Sequence, residues 1–252
     1  MRSFVTAWRR AGCFVRNFGC IIFTCEHGGH RVPAAYRSLF AGRGRLLQSH
    51  RGYDPGALEL ARRLSRSARA PLIFSDVTRL LVELNRSPDS EDFFSAITRS
   101  ASQEQKGRIV SDHYLPYRRK VERRIAGWLG EGRRVLHLSI HSFTPVFRGR
   151  RRDLDIGLLY DPARKQEAAF CKAWRQGLLK CDPSLVVRAN QPYRGTADGF
   201  TTYLRTLPGA AARYAGIELE VNQRFCRGSA KRWRALQTKI ATALAYVLAA
   251  DA

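Results

Sequence analysis

The chain has 252 residues, 44 Lys+Arg against 21 Asp+Glu, a net charge of +23 and 44% apolar residues. That is an ordinary globular composition, long enough to bury a large core, and no apolar run reaches the roughly 18 residues that a membrane-spanning helix needs. Six cysteines with no CxxC spacing, in a chain of this size, exclude a disulfide-stapled scaffold and imply reduced thiols in a cytoplasmic protein.

The first 18 residues, MRSFVTAWRRAGCFVRNF, are basic and free of acids. They read as a poorly ordered N-terminal extension, 1–18, ahead of a single domain over 19–252, and carry no long apolar stretch of a secretory signal. CIIFTC (20–25) predicts a buried strand. DPGALELARRLSRSA (54–68) predicts a helix: Asp54 can cap it, Pro55 fits its first turn, and Leu58, Ala61 and Leu64 recur at helical spacing. APLIFSDV (70–77) predicts a short strand, and the polar, irregular residues 87–110 a mobile loop, with a helical piece, that can act as a lid. SDHYLPYRRKVERRIAGWLGEG (111–132) predicts a helix with Pro116 in its first turn or at a kink. Strands follow at 135–143, 154–162, 184–193 and 214–225, and helices at 164–180, 198–207 and 230–250. Near-continuous apolar strands alternating with helices predict an α/β fold whose sheet is covered on both faces.

Two stretches concentrate the basic charge: FRGRRRD (147–153) and YRRKVERR (117–124). The second has the spacing of a solvated helix face. With no zinc finger, aromatic RNA-binding signature or helix-turn-helix pattern, nucleic-acid binding rests on charge alone and is not expected as the main role.

Ligands of open α/β sheets bind beyond the carboxyl ends of the strands. The first strand here ends in Cys25-Glu26-His27, the 135–143 strand carries His141-Ser142, and the last carries Glu218 and Glu220. Two histidines and a carboxylate are a ligand set for a hydrolytic Zn²⁺ with one position open to water. Such a metal lowers the pKa of water and polarises a carbonyl, and a further carboxylate must move the proton. Glu218 and Glu220, two apart on a strand, point the same way, so one can be base and the other support.

Blander readings compete with each of these. A strand-end histidine is more often a hydrogen-bonded core or turn residue. The glycines of HGGH (27–30) argue for a turn, and of His137 and His141, which share a strand face, one can merely pack. Asp54 can orient a ligand histidine or simply cap a helix. Tyr193 and Arg194 in QPYRG can reach a dianionic substrate or form a plain turn. Cys25 beside Glu26 and His27 suggests a thiol nucleophile, but neighbours on an extended chain point apart, and cysteine is among the most buried residue types.

The blocks TCEHGGHRVP, YDPGA, RLLVELNRS, IHSFTP, DIGLLYD, ANQPYRGTADGFTTYL and IELEVNQ follow the order found in the N-formylglutamate amidohydrolase family, which the chain resembles from about residue 20 to 225. The resemblance implies a phosphorylase/hydrolase-like α/β fold, a three-layer sandwich with a mixed, mostly parallel sheet, similar to zinc carboxypeptidases and aspartoacylase. It implies hydrolysis of N-formyl-L-glutamate to L-glutamate and formate, in histidine degradation, with one Zn²⁺ per site. By that resemblance Glu26, His27 and His141 are the metal ligands and Glu220 the general base. Asn85 and Arg86 fall on an Asn-Arg pair, and an arginine fork suits a substrate carboxylate, with Arg194 as a further contact. Two positions depart from the family: His30 stands where asparagine is usual and can add a ligand, and Glu83 stands where aspartate is common. The partner expected is a small acidic N-acyl amino acid. The alternatives are a related metallo-amidase or peptidase with another substrate, or a basic nucleic-acid- or anion-binding protein on the same scaffold.

Overall fold

The computed structural model describes residues 18–249; the extension expected over 1–18 lies outside the described residues except for Phe18. The strands are β1 Cys20–Cys25, β2 Leu72–Phe74, β3 Val135–Phe143, β4 Val146–Phe147, β5 Arg150–Arg151, β6 Ile156–Leu159, β7 Val187–Ala189 and β8 Tyr214–Asn222. The longer helices, with one short one that matters for the site, are α1 Ala57–Ala68, α2 Leu115–Gly130, α3 Lys165–Cys181, α4 Phe200–Leu204 and α5 Ala230–Ala249.

Six strands form one sheet in the order β2-β1-β3-β8-β6-β7. Every pairing is parallel except β6 with β8. One face packs against α1, α3 and α5 through Leu60, Leu64, Phe170, Trp174, Ile240 and Leu244. The other packs against α2 and α4 through Val121, Ile125, Leu129, Phe200 and Leu204. Burying each such side chain contributes about 1.5–3 kcal/mol, and helices on both faces are what buries the all-apolar strands. The fold is thus the three-layer α/β sandwich with a mixed, mostly parallel sheet.

Strand β3 is buried at all nine positions, yet it alternates apolar residues with His137, Ser139 and His141. A strand sends alternate side chains to opposite faces, so these polar groups form one column. The register sets Thr24 beside Ser139 and Glu220 beside His141, extending the column across three strands on the face covered by α2.

Several boundaries differ from expectation. The helix expected from Asp54 starts at Ala57, and its N-cap is Gly56 at φ 80°. A side chain there would bring its Cβ within 2.7 Å of the Cys226 Cβ, so the tight turn requires glycine. Asp54 therefore does not cap the helix. The strands expected over 70–77, 154–162 and 184–193 contract to β2, β6 and β7 because their ends leave the hydrogen-bonded sheet. The 87–110 segment is more ordered than expected, with helices Ala96–Arg99 and Gln103–Ile109. Ser95 caps the first, and Ser102 with Gln105 forms a capping box on the second. Phe93, Thr98 and Ile109 are buried beneath it. Pro116 falls in the first turn of α2, where no backbone N–H is needed.

Candidate active site

The carboxyl ends of β1, β3 and β8 converge on three buried donors, His27, Asp54 and His141, whose ligand atoms all lie within 4.8 Å of one another. Asp54 is the hinge of the group. Its Oδ2 lies 3.3 Å from His27 Nδ1 and 3.0 Å from His141 Nδ1. Its backbone N–H donates to the His27 carbonyl (2.9 Å), and it also accepts from the Ser142 backbone (3.3 Å). The turn before α1 aims this carboxylate inward, a placement that YDPGA hints at only weakly.

Each histidine is held from its far nitrogen by a buried glutamate. His27 Nε2 donates to Glu83 Oε1. His141 Nε2 lies 3.2 Å from Glu26 Oε2 and 2.8 Å from the Ser139 hydroxyl. Arg79 bridges the carboxylates, donating to Glu83 Oε2 (2.7 Å) and Asp54 Oδ1 (3.2 Å). A carboxylate on one ring nitrogen fixes the orientation and basicity of the other, so both Nδ1 atoms are presented to Asp54.

Glu26 was expected among the donors but faces the other way. Its carboxylate accepts from Tyr117 (2.8 Å) and Ser139 (2.6 Å) and meets His141 at Nε2, the ring nitrogen opposite the one that meets Asp54. The set that converges has Asp54 in that place. Burial works against charge on Asp54, but the charge of His27 and the hydrogen bonds of His141 and His27, with Arg79, hold it well below the carboxylate range. Burial likewise opposes a charged His141, but its hydrogen bonds to Asp54 and Glu26 raise its pKa well above the ordinary value. A positive charge between these carboxylates is favoured.

Glu220 sits beside His141 in the register and is buried. Its Oε2 has no hydrogen-bond partner among the described residues. Burial, reinforced by Asp54 and Glu218 and offset by His141 and Arg79, pushes its pKa up to about 8. Glu218 on the same face accepts from the Thr201 hydroxyl (2.7 Å). Of the two, Glu220 is the one with a buried oxygen left without a partner among the described residues. Gly157 of β6 pairs with Glu220, and any side chain there would collide with the Gln191 carbonyl; glycine lets the 190–195 turn close over the site.

The other expected residues scatter. Asn85 Oδ1 accepts from the Phe200 backbone (2.7 Å), and Arg86 donates to the carbonyls of Asn85 (3.0 Å) and Asp198 (2.8 Å). The pair thus ties the segment after Glu83 to the start of α4. Arg194 is exposed on the turn. His30 is exposed too, its ring 4.8 Å from that of Tyr53, outside the converging group. Cys25 lies in the apolar core of the opposite face, and burial, with Glu26 and Asp54, raises its thiol far from ionisation. That excludes the thiolate nucleophile. Sequence reasoning missed Arg79 and Tyr117, which carry no local signal; Glu83 was visible only as an acid of unusual length.

The model for N-formylglutamate amidohydrolase matches residues 19–226. The chain belongs to the N-formylglutamate amidohydrolase family. A solved gene product from Agrobacterium tumefaciens is similar, with a TM-score of 0.73 and 28% identity over 92% of this chain and 93% of that one. The N-formylglutamate amidohydrolase from Ralstonia eutropha has a TM-score of 0.66 at 16% identity, covering 93% of this chain and 96% of its own, a likeness of fold. No curated protein matches. As a family member the chain is a hydrolase of linear amides that acts on a small N-acyl amino acid. No helix among the described residues is long and apolar enough to cross a membrane.

Proposed function

We propose that this family member hydrolyses N-formyl-L-glutamate to L-glutamate and formate, a step of histidine degradation, with a divalent cation, Zn²⁺, held by His27, Asp54 and His141. The observation that carries this is the buried convergence of two Nδ1 atoms on one Asp54 oxygen, beside a buried glutamate oxygen left without a partner. An unmade bond of that kind costs about 1–3 kcal/mol, and it is offset where a reacting group supplies the missing partner. The donor types suit the metal: two imidazoles and a carboxylate leave a tetrahedral ion one open position. The bound ion would supply Lewis-acid polarisation of the scissile carbonyl and acidify water at neutral pH.

The chain's own residues do the rest. Glu220 takes a proton from the attacking water at its free oxygen and returns it to the leaving amine nitrogen. Glu83 and Glu26 hold the two imidazoles by their Nε2 atoms, so their Nδ1 lone pairs stay aimed at one point. Arg79 keeps Glu83 and Asp54 ionised. Asn85 and Arg86 hold the segment after Glu83 against the start of α4. We also assign the catalytic unit to a single domain over 19–252, supported by one continuous sheet. The setting is taken as cytoplasmic, supported by the free thiols of Cys20, Cys25, Cys171, Cys181 and Cys226.

The test is direct. The purified protein should contain about one divalent metal ion per chain, and should release formate from N-formyl-L-glutamate in a chelator-sensitive, zinc-restorable manner. Absence of stoichiometric metal, with activity indifferent to chelation, would remove the metal from the reading. Activity confined to a different N-acyl amino acid in a substrate panel would remove N-formyl-L-glutamate.

A further inference from the structure

The basic stretch FRGRRRD is not used by the chemistry above. It forms the β4–β5 hairpin, whose turn residues Arg148 and Gly149 both have positive φ (50° and 76°), the geometry of a tight two-residue hairpin. Its arginines are not equivalent. Arg151 pairs with Asp153 (3.1 Å), and Arg148 lies over the Phe147 ring (5.3 Å). Arg152 instead turns inward. Its guanidinium sits between the rings of Phe147 (4.6 Å), Tyr193 (5.2 Å) and Phe143 (5.7 Å). It donates to the Tyr193 hydroxyl (3.3 Å) and the Thr144 carbonyl (3.4 Å), and it has no carboxylate partner among the described residues.

Its position relates it to the reaction centre. Phe143 lies on the same face of β3 as His141, two residues further along. The Arg152 carbonyl accepts from the side chain of Asn222 (3.5 Å), two residues past Glu220 on β8. Arg152 therefore stands above the ends of both strands that carry His141 and Glu220. The neighbouring charges agree. Burial raises the Tyr193 pKa first, Glu220 and Asp54 add to it, and Arg152 offsets it. The phenol thus feels the field of the site carboxylates as well as that of this arginine, with which it is in contact.

We propose that Arg152, steadied by the rings of Phe147 and Tyr193, is the specificity-determining residue that binds the side-chain carboxylate of the substrate. An arginine half-sunk among aromatic rings is rigid, weakly hydrated and ready to make paired hydrogen bonds to a carboxylate. Two residues of strand separate Phe143 from His141, about 7 Å. An α-carboxylate is one carbon from the scissile nitrogen and stays near it; a carboxylate at the end of a side chain spans such a gap. Arg86 is engaged with two carbonyls and Arg194 is exposed, so Arg152 is the better-placed cation. This assignment rests on the functional reading above, since it presumes an N-acyl amino acid with its scissile amide at His141 and Glu220.

The experiment compares N-formyl-L-glutamate with N-formyl-L-glutamine, equal in shape and lacking the charge. In Arg152→Met the preference for the glutamate compound, as a ratio of kcat/KM values, should fall about 10–100-fold, carried by KM. Arg152→Lys, which keeps charge without the fork, should recover part of it. An unchanged ratio, or equal loss on both compounds, overturns the proposal. If Arg152→Met does not fold, Tyr193→Phe takes its place, with an expected severalfold fall in the same ratio and the same overturning result. If the wild type hydrolyses neither compound, the functional reading fails and Arg152 is judged by binding alone. Calorimetry with L-glutamate should then give tighter binding to the wild type than to the variant, and equal or absent heats overturn the assignment.

Discussion

Strand β3 carries two buried histidines four residues apart on one face, and the structure gives them opposite chemistry. His137 lies between two neutral hydroxyls, Thr24 (2.8 Å) and Tyr214 (2.7 Å). Burial, only partly countered by Glu26, pushes its pKa down to about 4. His141 lies between two carboxylates, Asp54 and Glu26, which overcome the same burial and push its pKa up. Residue type, strand, face and depth are shared, so none of them distinguishes a packing histidine from a reactive one. Only the charge of the partners does: hydroxyls satisfy a neutral ring, whereas flanking carboxylates make a place where a cation is stable.

The contrast should break most sharply at His141. His141→Ala should lose stoichiometric metal and at least about 10³-fold in kcat/KM, whereas His137→Gln should retain its metal, both read by elemental analysis and formate release. Metal retained in His141→Ala would move the site elsewhere. Glu220→Gln should keep the metal but lower kcat by about 10²–10⁴-fold; a normal turnover number would deny it the role of base. A smaller effect is expected where a carboxylate only steers a ring. Glu26→Gln and Glu83→Gln should each weaken zinc binding about 10–100-fold in chelator competition, while Asp54→Asn should remove stoichiometric binding. The reverse ranking of Glu26 and Asp54 would restore the ligand set expected from sequence.

The smallest consequence belongs to His137 and concerns stability. Its folded-state pKa, about 4, lies below the unfolded value near 6.5. The neutral ring therefore stabilises the fold above about pH 6.5, and that contribution is lost as pH falls toward 4. Between pH 7 and pH 4.5 the loss should be about 2 kcal/mol, read by urea unfolding. His137→Gln should flatten that part of the pH dependence, and an equal slope in wild type and variant would contradict the assignment.

Much of this molecule could be read from its residues. Period-2 and period-3.6 apolar patterns fix strands and helices because each element must hide one face, and β3 and α5 fall almost where their patterns end. Strand-end logic brought His27, His141 and Glu220 forward because loops at the carboxyl end of a parallel sheet converge. The departures have one physical origin. Asp54, open in sequence to being a helix cap or the partner of a ligand histidine, reaches the site through the turn in which Gly56 takes a left-handed conformation against Cys226. Glu26 and Glu83 differ from Asp54 not in chemistry but in which nitrogen of a histidine they meet. Arg152 looked like one more charge in a basic run until a two-residue hairpin folded it among three rings. Sequence alone determined the layers of the fold and the kinds of side chain available to the site, since those follow from local pattern and composition. Tertiary structure alone decided which carboxylate faces which imidazole, since a hydrogen bond between residues 27, 54, 83 and 141 depends on orientations that the packing of separate elements sets.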